Sequence, residues 1–120
     1  MRLSSGETRG LKHVFTAFLT VAAGSSGELE IAVAPAGKRL RLKKTVIHFP
    51  AGTEGQLQVQ VRYGVMAVIP DTGYVQGDDQ TYTFEKEWVY ESGSPVKIYY
   101  NNLDSTYSKS VYVAVTVEEE

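Results

Sequence analysis

The chain has 120 residues, a formal net charge of −2 and 42% apolar residues. This length suits a single domain that buries about two-thirds of its unfolded surface, so folding needs no disulfide or metal. The sequence has no cysteine, which excludes disulfide frameworks, zinc–thiolate sites and thiol catalysis. The small net charge gives no general attraction to nucleic acid, so a nucleic-acid partner is not expected.

The N-terminal part divides into a polar leader and an apolar run. Residues 1–12 contain Ser, Gly and charged side chains, and we expect them to form a flexible arm that orders only against a partner. Residues 13–24 (HVFTAFLTVAAG) fit two interpretations: a secretory signal that ends in small residues, or a strand in which threonines alternate with apolar residues. The strand is favoured because Glu7 is unusual in a signal, and the run is too short to span a bilayer. The predicted domain therefore covers residues 13–120.

From residue 28 onwards, apolar and polar residues alternate with a period of two, as in strands with one buried and one wet face. The stretches are ELEIAV (28–33), QLQVQVRY (56–63), TYTFEKEWVY (81–90), PVKIYY (95–100) and SVYVAVTV (110–117). The core is predicted to contain Leu57, Val59, Val61, Ile98, Val113 and Val115. Turn clusters of Gly, Pro, Asp and Ser separate the stretches. About seven to eight short strands of this kind predict an all-β fold, a single antiparallel β-sandwich.

The stretch RLRLKKTVIHF (39–49) changes its phase along the chain. Its apolar residues occupy even positions at Leu40 and Leu42 but odd positions at Ile47 and Phe49. Because a slip of one residue turns every side chain to the opposite face, we predict a bulge or bend near residues 43–45. Gly64 is expected to have a similar effect within its own stretch.

The same stretch overlaps a basic patch that contains five of the twelve basic residues: Lys38, Arg39, Arg41, Lys43 and Lys44. One interpretation is a surface for phosphates or an acidic partner. The other is the solvated face of a strand whose charges protect it from edge-to-edge association. The second is favoured because no aromatic residues for base stacking lie nearby.

The sequence offers little for catalysis or metal binding. The two histidines, His13 and His48, lie on predicted strands, and no G-x-S-x-G motif accompanies them. Glu85 and Glu87 would lie about 7 Å apart on one strand face, as in inverting glycosidases, but any wet strand gives the same spacing. The aspartates at positions 71, 78 and 79 do not have the spacing of a calcium loop. We therefore expect no enzyme, no cofactor and no metal site.

The stretch IYYNNLDSTYSKS (98–110) is the best candidate for a binding loop. Rigid aromatic residues beside adaptable polar ones are typical of recognition loops. Asn and Asp are equally typical of the turn between two strands. Leu103 is unusual at a wet hairpin tip and favours a surface that something covers. The candidate binding residues are Tyr99, Asn101, Asn102, Leu103, Asp104 and Tyr107.

The order of the stretches follows a recognisable pattern. A bent basic strand leads into PAGTEGQL (50–57), and a late segment, SPVKIYYNNLDSTYSKSVYVAVTV (94–117), ends in a valine-rich strand. This pattern resembles small jelly-roll-like β-sandwich structural proteins of phages and viruses, over residues 28–117. In those proteins a late strand commonly ends in Asn with a nearby Asp, which here are Asn101 or Asn102 and Asp104. The resemblance implies assembly or attachment through symmetric copies rather than catalysis.

The residues and the resemblance together predict a non-enzymatic virion-type structural or attachment protein that self-associates. We expect a homo-oligomer with the Tyr99–Tyr107 loop or the N-terminal arm at its interface, and other structural proteins or surface glycans as further partners. An alternative is a carbohydrate-binding module that uses the tyrosine-bearing loops. A third hypothesis is a small secreted or surface domain.

Overall fold

A computed structural model describes residues 11–120. Within this range the chain forms nine strands and no helix. The strands are β1 (Lys12–Val21), β2 (Ser26–Val33), β3 (Leu40–Phe49), β4 (Leu57–Tyr63), β5 (Met66–Ile69), β6 (Gln80–Phe84), β7 (Trp88–Tyr90), β8 (Pro95–Asn102) and β9 (Lys109–Glu119). The apolar run at residues 13–24 forms most of β1 and the turn after it. The predicted arm, residues 1–12, lies outside the described residues except for its last two.

The strands form two antiparallel sheets. The first has the order β1-β9-β3-β6, with β7 also paired to β3, and the second has the order β2-β8-β4-β5. Most connections cross from one sheet to the other, so β1 and β2, which are adjacent in sequence, lie in different sheets. β9 inserts between β1 and β3, and β8 inserts between β2 and β4. This is the topology of a jelly roll, and the predicted all-β sandwich is confirmed.

The inner faces of the two sheets form one apolar core. All six residues predicted for the core, from Leu57 to Val115, are fully buried. β9 is central in its sheet and also buries Val111 and Val117. Each buried valine contributes about 1.5–3 kcal/mol relative to an exposed one. Burial of every second side chain therefore explains why valine occupies alternate positions of β9.

β3 contains the predicted bulge. Its register against β9 shifts between Leu42 and Lys44, so that Lys43 is the extra residue. Leu42 before the shift and Ile47 after it are both fully buried although their positions differ in parity. The shift also turns Thr45 into the core, where its hydroxyl has no hydrogen-bond partner among residues 11–120.

Two details differ from the sequence-based expectations. The stretch at residues 81–90 forms two strands, because β6 pairs with the part of β3 from Thr45 onwards and β7 pairs with Leu40–Leu42. Three residues, 85–87, therefore face the bulge of β3, which a regular strand could not follow. Gly64 does not form the expected bulge: with φ of 62° it lies in the tight turn between β4 and β5, where hairpins favour glycine at the first central position. The register shift of this stretch falls instead between Val61 and Arg62.

Candidate binding surfaces

The β8–β9 loop is a turn organised by its own side chains. Asp104 Oδ1 accepts hydrogen bonds from the backbone N–H groups of Thr106 (2.8 Å) and Tyr107 (3.1 Å). These bonds hold the pKa of Asp104 below its ordinary value. Asn102 Oδ1 accepts from the Asp104 N–H at 2.9 Å, and its buried amide donates to the carbonyl of Val21 at 3.1 Å. Asp104 therefore organises the turn, and Asn102 connects the turn to the end of β1.

Lys109 connects this loop to the β3–β4 loop. Its ammonium donates to the carbonyl of Gly52 at 2.9 Å and lies 3.3 Å from both Glu54 Oε1 and Asp104 Oδ2. Its side chain is only 6% exposed. Desolvation opposes the charge, but the hydrogen bonds to Glu54 and Asp104 outweigh it and raise the pKa of Lys109. Lys109 therefore contacts both loops, through Gly52 and Glu54 on one side and Asp104 on the other.

Asp78 fixes the β3–β4 loop from the other side. Its Oδ1 accepts from the N–H groups of Glu54 (3.1 Å) and Gly52 (2.7 Å), and these bonds lower its pKa. Asp71, by contrast, pairs with Lys86. Among residues 11–120, no three His, Asp or Glu side chains are grouped to hold a metal ion. Polar contacts thus join three loops at one end of the sandwich: the β3–β4 loop, the β5–β6 connection and the β8–β9 loop.

The structure divides the predicted binding residues into two groups. Leu103 and Tyr107 are 50% and 67% exposed at the loop tip. Tyr99 instead lies within β8, with its ring 3.8 Å from the guanidinium carbon of Arg62. Asn101, also in β8, donates to Gln58 Oε1 at 3.0 Å. The loop tip thus has only two exposed apolar side chains, and Tyr99 does not contribute to it.

A second aromatic group lies near Tyr99. Tyr74 of the β5–β6 connection is 41% exposed, and its ring centroid is 6.1 Å from that of Tyr99. Tyr74 also borders a groove of about 300 Å³ with Pro70, Tyr82 and Phe84. The rings of Tyr82 and Phe84 are 6.5 Å apart and tilted by only 24°. The alternation in β6 indicated that Tyr82 and Phe84 share a face, but the groove depends on a long connection that folds beside them.

The basic patch faces acidic residues of the same chain. Arg41 pairs with Glu120 and lies 3.6 Å from Glu87, while Lys43 donates to Glu87 at 2.8 Å. Hydrogen bonding to Glu120 raises the pKa of Arg41, and hydrogen bonding to Lys43 lowers the pKa of Glu87. Weaker ion pairs, at 3.9 and 3.8 Å, join Lys38 to Glu119 and Arg39 to Glu120. Lys44 is exposed and has no acidic partner within the described part of the chain.

The outer face of β1 has exposed apolar side chains that the sequence did not predict. Val14 is 62% exposed and Phe18 is 64% exposed. Phe18 lies opposite Tyr112 of β9, which is 38% exposed. Among residues 11–120 only β9 pairs with β1, so this strand is an edge. The sequence indicated a strand here, but not that it would lie at the edge of a sheet.

Comparisons with known proteins agree with this architecture. No family model matches the sequence, and no curated protein shows a significant match. The structure is similar to a capsid structure of the Helicobacter pylori bacteriophage KHP30, with a TM-score of 0.63, 15% identity, and 93% of this chain and 94% of that chain covered. The fold is a jelly roll.

Two further solved structures are similar in fold. The cyanophage Pam1 capsid matches with a TM-score of 0.52 and 17% identity, over 98% of this chain and 91% of that one. PRD1 vertex protein P5 matches with a TM-score of 0.57 and 10% identity, over 88% of this chain and 95% of that one. These similarities confirm the predicted resemblance at the level of the fold.

Residues 11–120 form no helix of the length and apolarity that crossing a membrane requires.

Proposed function

We propose that this jelly roll is a non-enzymatic virion-type structural or attachment protein that self-associates. The observation that supports it most is the concentration of exposed apolar side chains on β1 and the neighbouring part of β9, with Val14 and Phe18 both more than half exposed. Large exposed apolar groups next to an open sheet edge are typical of protein interfaces. The similarity of the fold to capsid and vertex structures supports the same class of function.

The use of the charged residues supports a non-enzymatic role. Asp78 and Asp104 have lowered pKa values because they accept backbone hydrogen bonds, and Lys109 contacts a carbonyl and two carboxylates. These contacts hold loops together, as structural ion pairs commonly do. The two histidines also contact side chains of neighbouring strands: His13 contacts Glu119, and His48 contacts Thr81.

The loop tip and the N-terminal arm remain proposed interface elements. Leu103 and Tyr107 are exposed on a turn that Asp104 holds in shape, so an interface there would meet a preformed surface. Residues 1–10, which make up most of the predicted arm (residues 1–12), lie outside the described residues. The test is sedimentation velocity of the parent protein, of the double variant Leu103→Ser/Tyr107→Asp, and of a chain without residues 1–10. We expect the parent to be oligomeric and at least one variant to shift toward monomer; a monomeric parent at high concentration contradicts the proposal.

A second candidate function is saccharide binding at the aromatic groove. Tyr74, Tyr82 and Phe84 present ring surfaces beside the polar side chain of Gln76, and aromatic rings pack against the apolar faces of sugars while polar groups hydrogen-bond hydroxyls. A glycan array is the direct assay. Binding that Tyr74→Ala abolishes and Tyr107→Ala leaves intact would support this groove, and an array without any bound glycan would exclude it.

A further inference from the structure

Among residues 11–120, one row of backbone hydrogen-bonding groups along β1 has no partner. The Glu119 N–H donates to the Leu11 carbonyl at 2.9 Å, and the register places Lys12 opposite Glu118. Hydrogen-bonding groups alternate in direction along a strand. The odd-numbered residues of β1 therefore bond to β9, and the N–H and C=O groups of the even-numbered residues point away from the sheet. The same even-numbered residues, including Val14 and Phe18, have their side chains on the exposed outer face.

β1 also lacks the features that usually protect an edge strand. Its register with β9 is unbroken over ten residues, so it has no bulge. It contains no proline, and no Lys, Arg, Asp or Glu follows Lys12 within the strand. Natural edges are commonly blocked by charges, prolines or bulges. A long, regular and uncharged edge is instead suited to pair with another strand.

We infer that β1 pairs antiparallel with β1 of a second copy, about a two-fold axis perpendicular to the sheet at Thr16. The inference rests on the proposed self-association and adds an interface separate from the proposed loop-tip and arm interfaces, with a second copy of this chain as the partner. In this register Val14 of each copy faces Phe18 of the other, and Thr16 faces Thr16. The two first sheets then form one continuous sheet.

The strand is complementary to itself in this register. The even-numbered residues, whose backbone groups point outward, meet even-numbered residues, as an antiparallel ladder requires. Aromatic residues beside β-branched ones, and threonine beside threonine, are favourable cross-strand pairs. Lys12 faces Thr20, so no like charges are opposed. On the inner face Phe15, which is 37% exposed in the single chain, meets Ala17 of the second copy.

The expected affinity is modest. Phe18 alone, at 64% exposure, offers on the order of 100 Å² of apolar surface. A stable interface usually buries about 800 Å² per partner. We expect a single pair of strands with its flanking side chains to bury less than this area. We expect a dimer that dissociates at roughly micromolar concentration, unless other surfaces reinforce it in a larger assembly.

The absence of cysteine allows a direct test by single-cysteine cross-linking. Residues in a hydrogen-bonded antiparallel pair have Cα atoms about 5.5 Å apart, which suits a disulfide. Full-length Thr16→Cys should oxidise to a covalent dimer at least tenfold faster than Thr83→Cys, a control at an exposed position of β6 in the same sheet. Adding Phe18→Lys to Thr16→Cys should abolish this difference, whereas adding Tyr107→Lys should not.

The outcomes separate the pairing from the proposed function. Equal oxidation of the two cysteine variants overturns the β1 interface, and so does cross-linking at Thr16 that appears only after residues 1–10 are removed. If the protein sediments as an oligomer without cross-linking at Thr16, the β1 interface is refuted and self-association stands. If it sediments as a monomer at every concentration, the proposed function fails as well.

Discussion

Replacing Thr45 with valine should stabilise the protein. The bulge between Leu42 and Lys44 turns Thr45 into the core, where it is fully buried and its hydroxyl has no partner among residues 11–120. Leaving a buried hydroxyl unsatisfied costs about 1–3 kcal/mol. Valine retains the branched shape that suits a strand and removes the polar atom. We therefore expect the free energy of unfolding to rise by about 1–2 kcal/mol.

The assay is urea denaturation, supported by thermal melting. The urea midpoint should increase at an unchanged m-value, and the Tm should rise by about 4 °C for each kcal/mol in a domain of this size. The matched control is Thr83→Val, because Thr83 is exposed on the neighbouring strand β6 and should change stability by less than about 0.5 kcal/mol. If Thr45→Val is neutral or destabilising while the control behaves as expected, the hydroxyl is satisfied and this account of the bulge is incorrect.

Three further changes test the loops and turns. Lys109→Met should lower the free energy of unfolding and speed hydrogen exchange in the β8–β9 loop, because Lys109 joins that loop to the β3–β4 loop. Lys44→Met, at an exposed site, should do neither. Equal exchange rates in both variants would argue against this role of Lys109. The folded-state pKa values of Asp78 and Asp104 lie below the ordinary 3.8. Their contribution to the free energy of unfolding is therefore present above pH 3.8 and is lost as the pH falls through the lower folded values. On acid titration Asp104→Asn should lose less stability than the parent, and an identical dependence of stability on pH in the two proteins would contradict this. Gly64→Ala should cost about 1–2 kcal/mol because φ is 62°, and a neutral result in denaturation would mean that the turn tolerates a side chain.

The sequence was sufficient to predict the sandwich and its core, because alternation reports which face of each strand is buried. It also located the bulge in β3, since Leu42 and Ile47 can both be buried only if the phase changes between them. The turn at Asp104 was one of the two interpretations that local chemistry offered for residues 98–110, and the structure contains it. These features depend on neighbours in the chain.

The features that the sequence could not predict depend on long-range pairing. The break between β6 and β7 follows from the bulge on a different strand. The charges of Arg41 and Lys43 are compensated by Glu120 and Glu87, which are close only after the sheet has formed. Which strand lies at an edge is set by the sheet order, so the exposure of Phe18 could not be read from alternation.

The most direct test of self-association is sedimentation velocity of the unmodified chain. The concentration series should run from below to well above the micromolar range. The account predicts a sedimentation coefficient that rises with concentration toward that of a dimer or a larger closed assembly. A single monomeric boundary that stays unchanged over the whole series would contradict it.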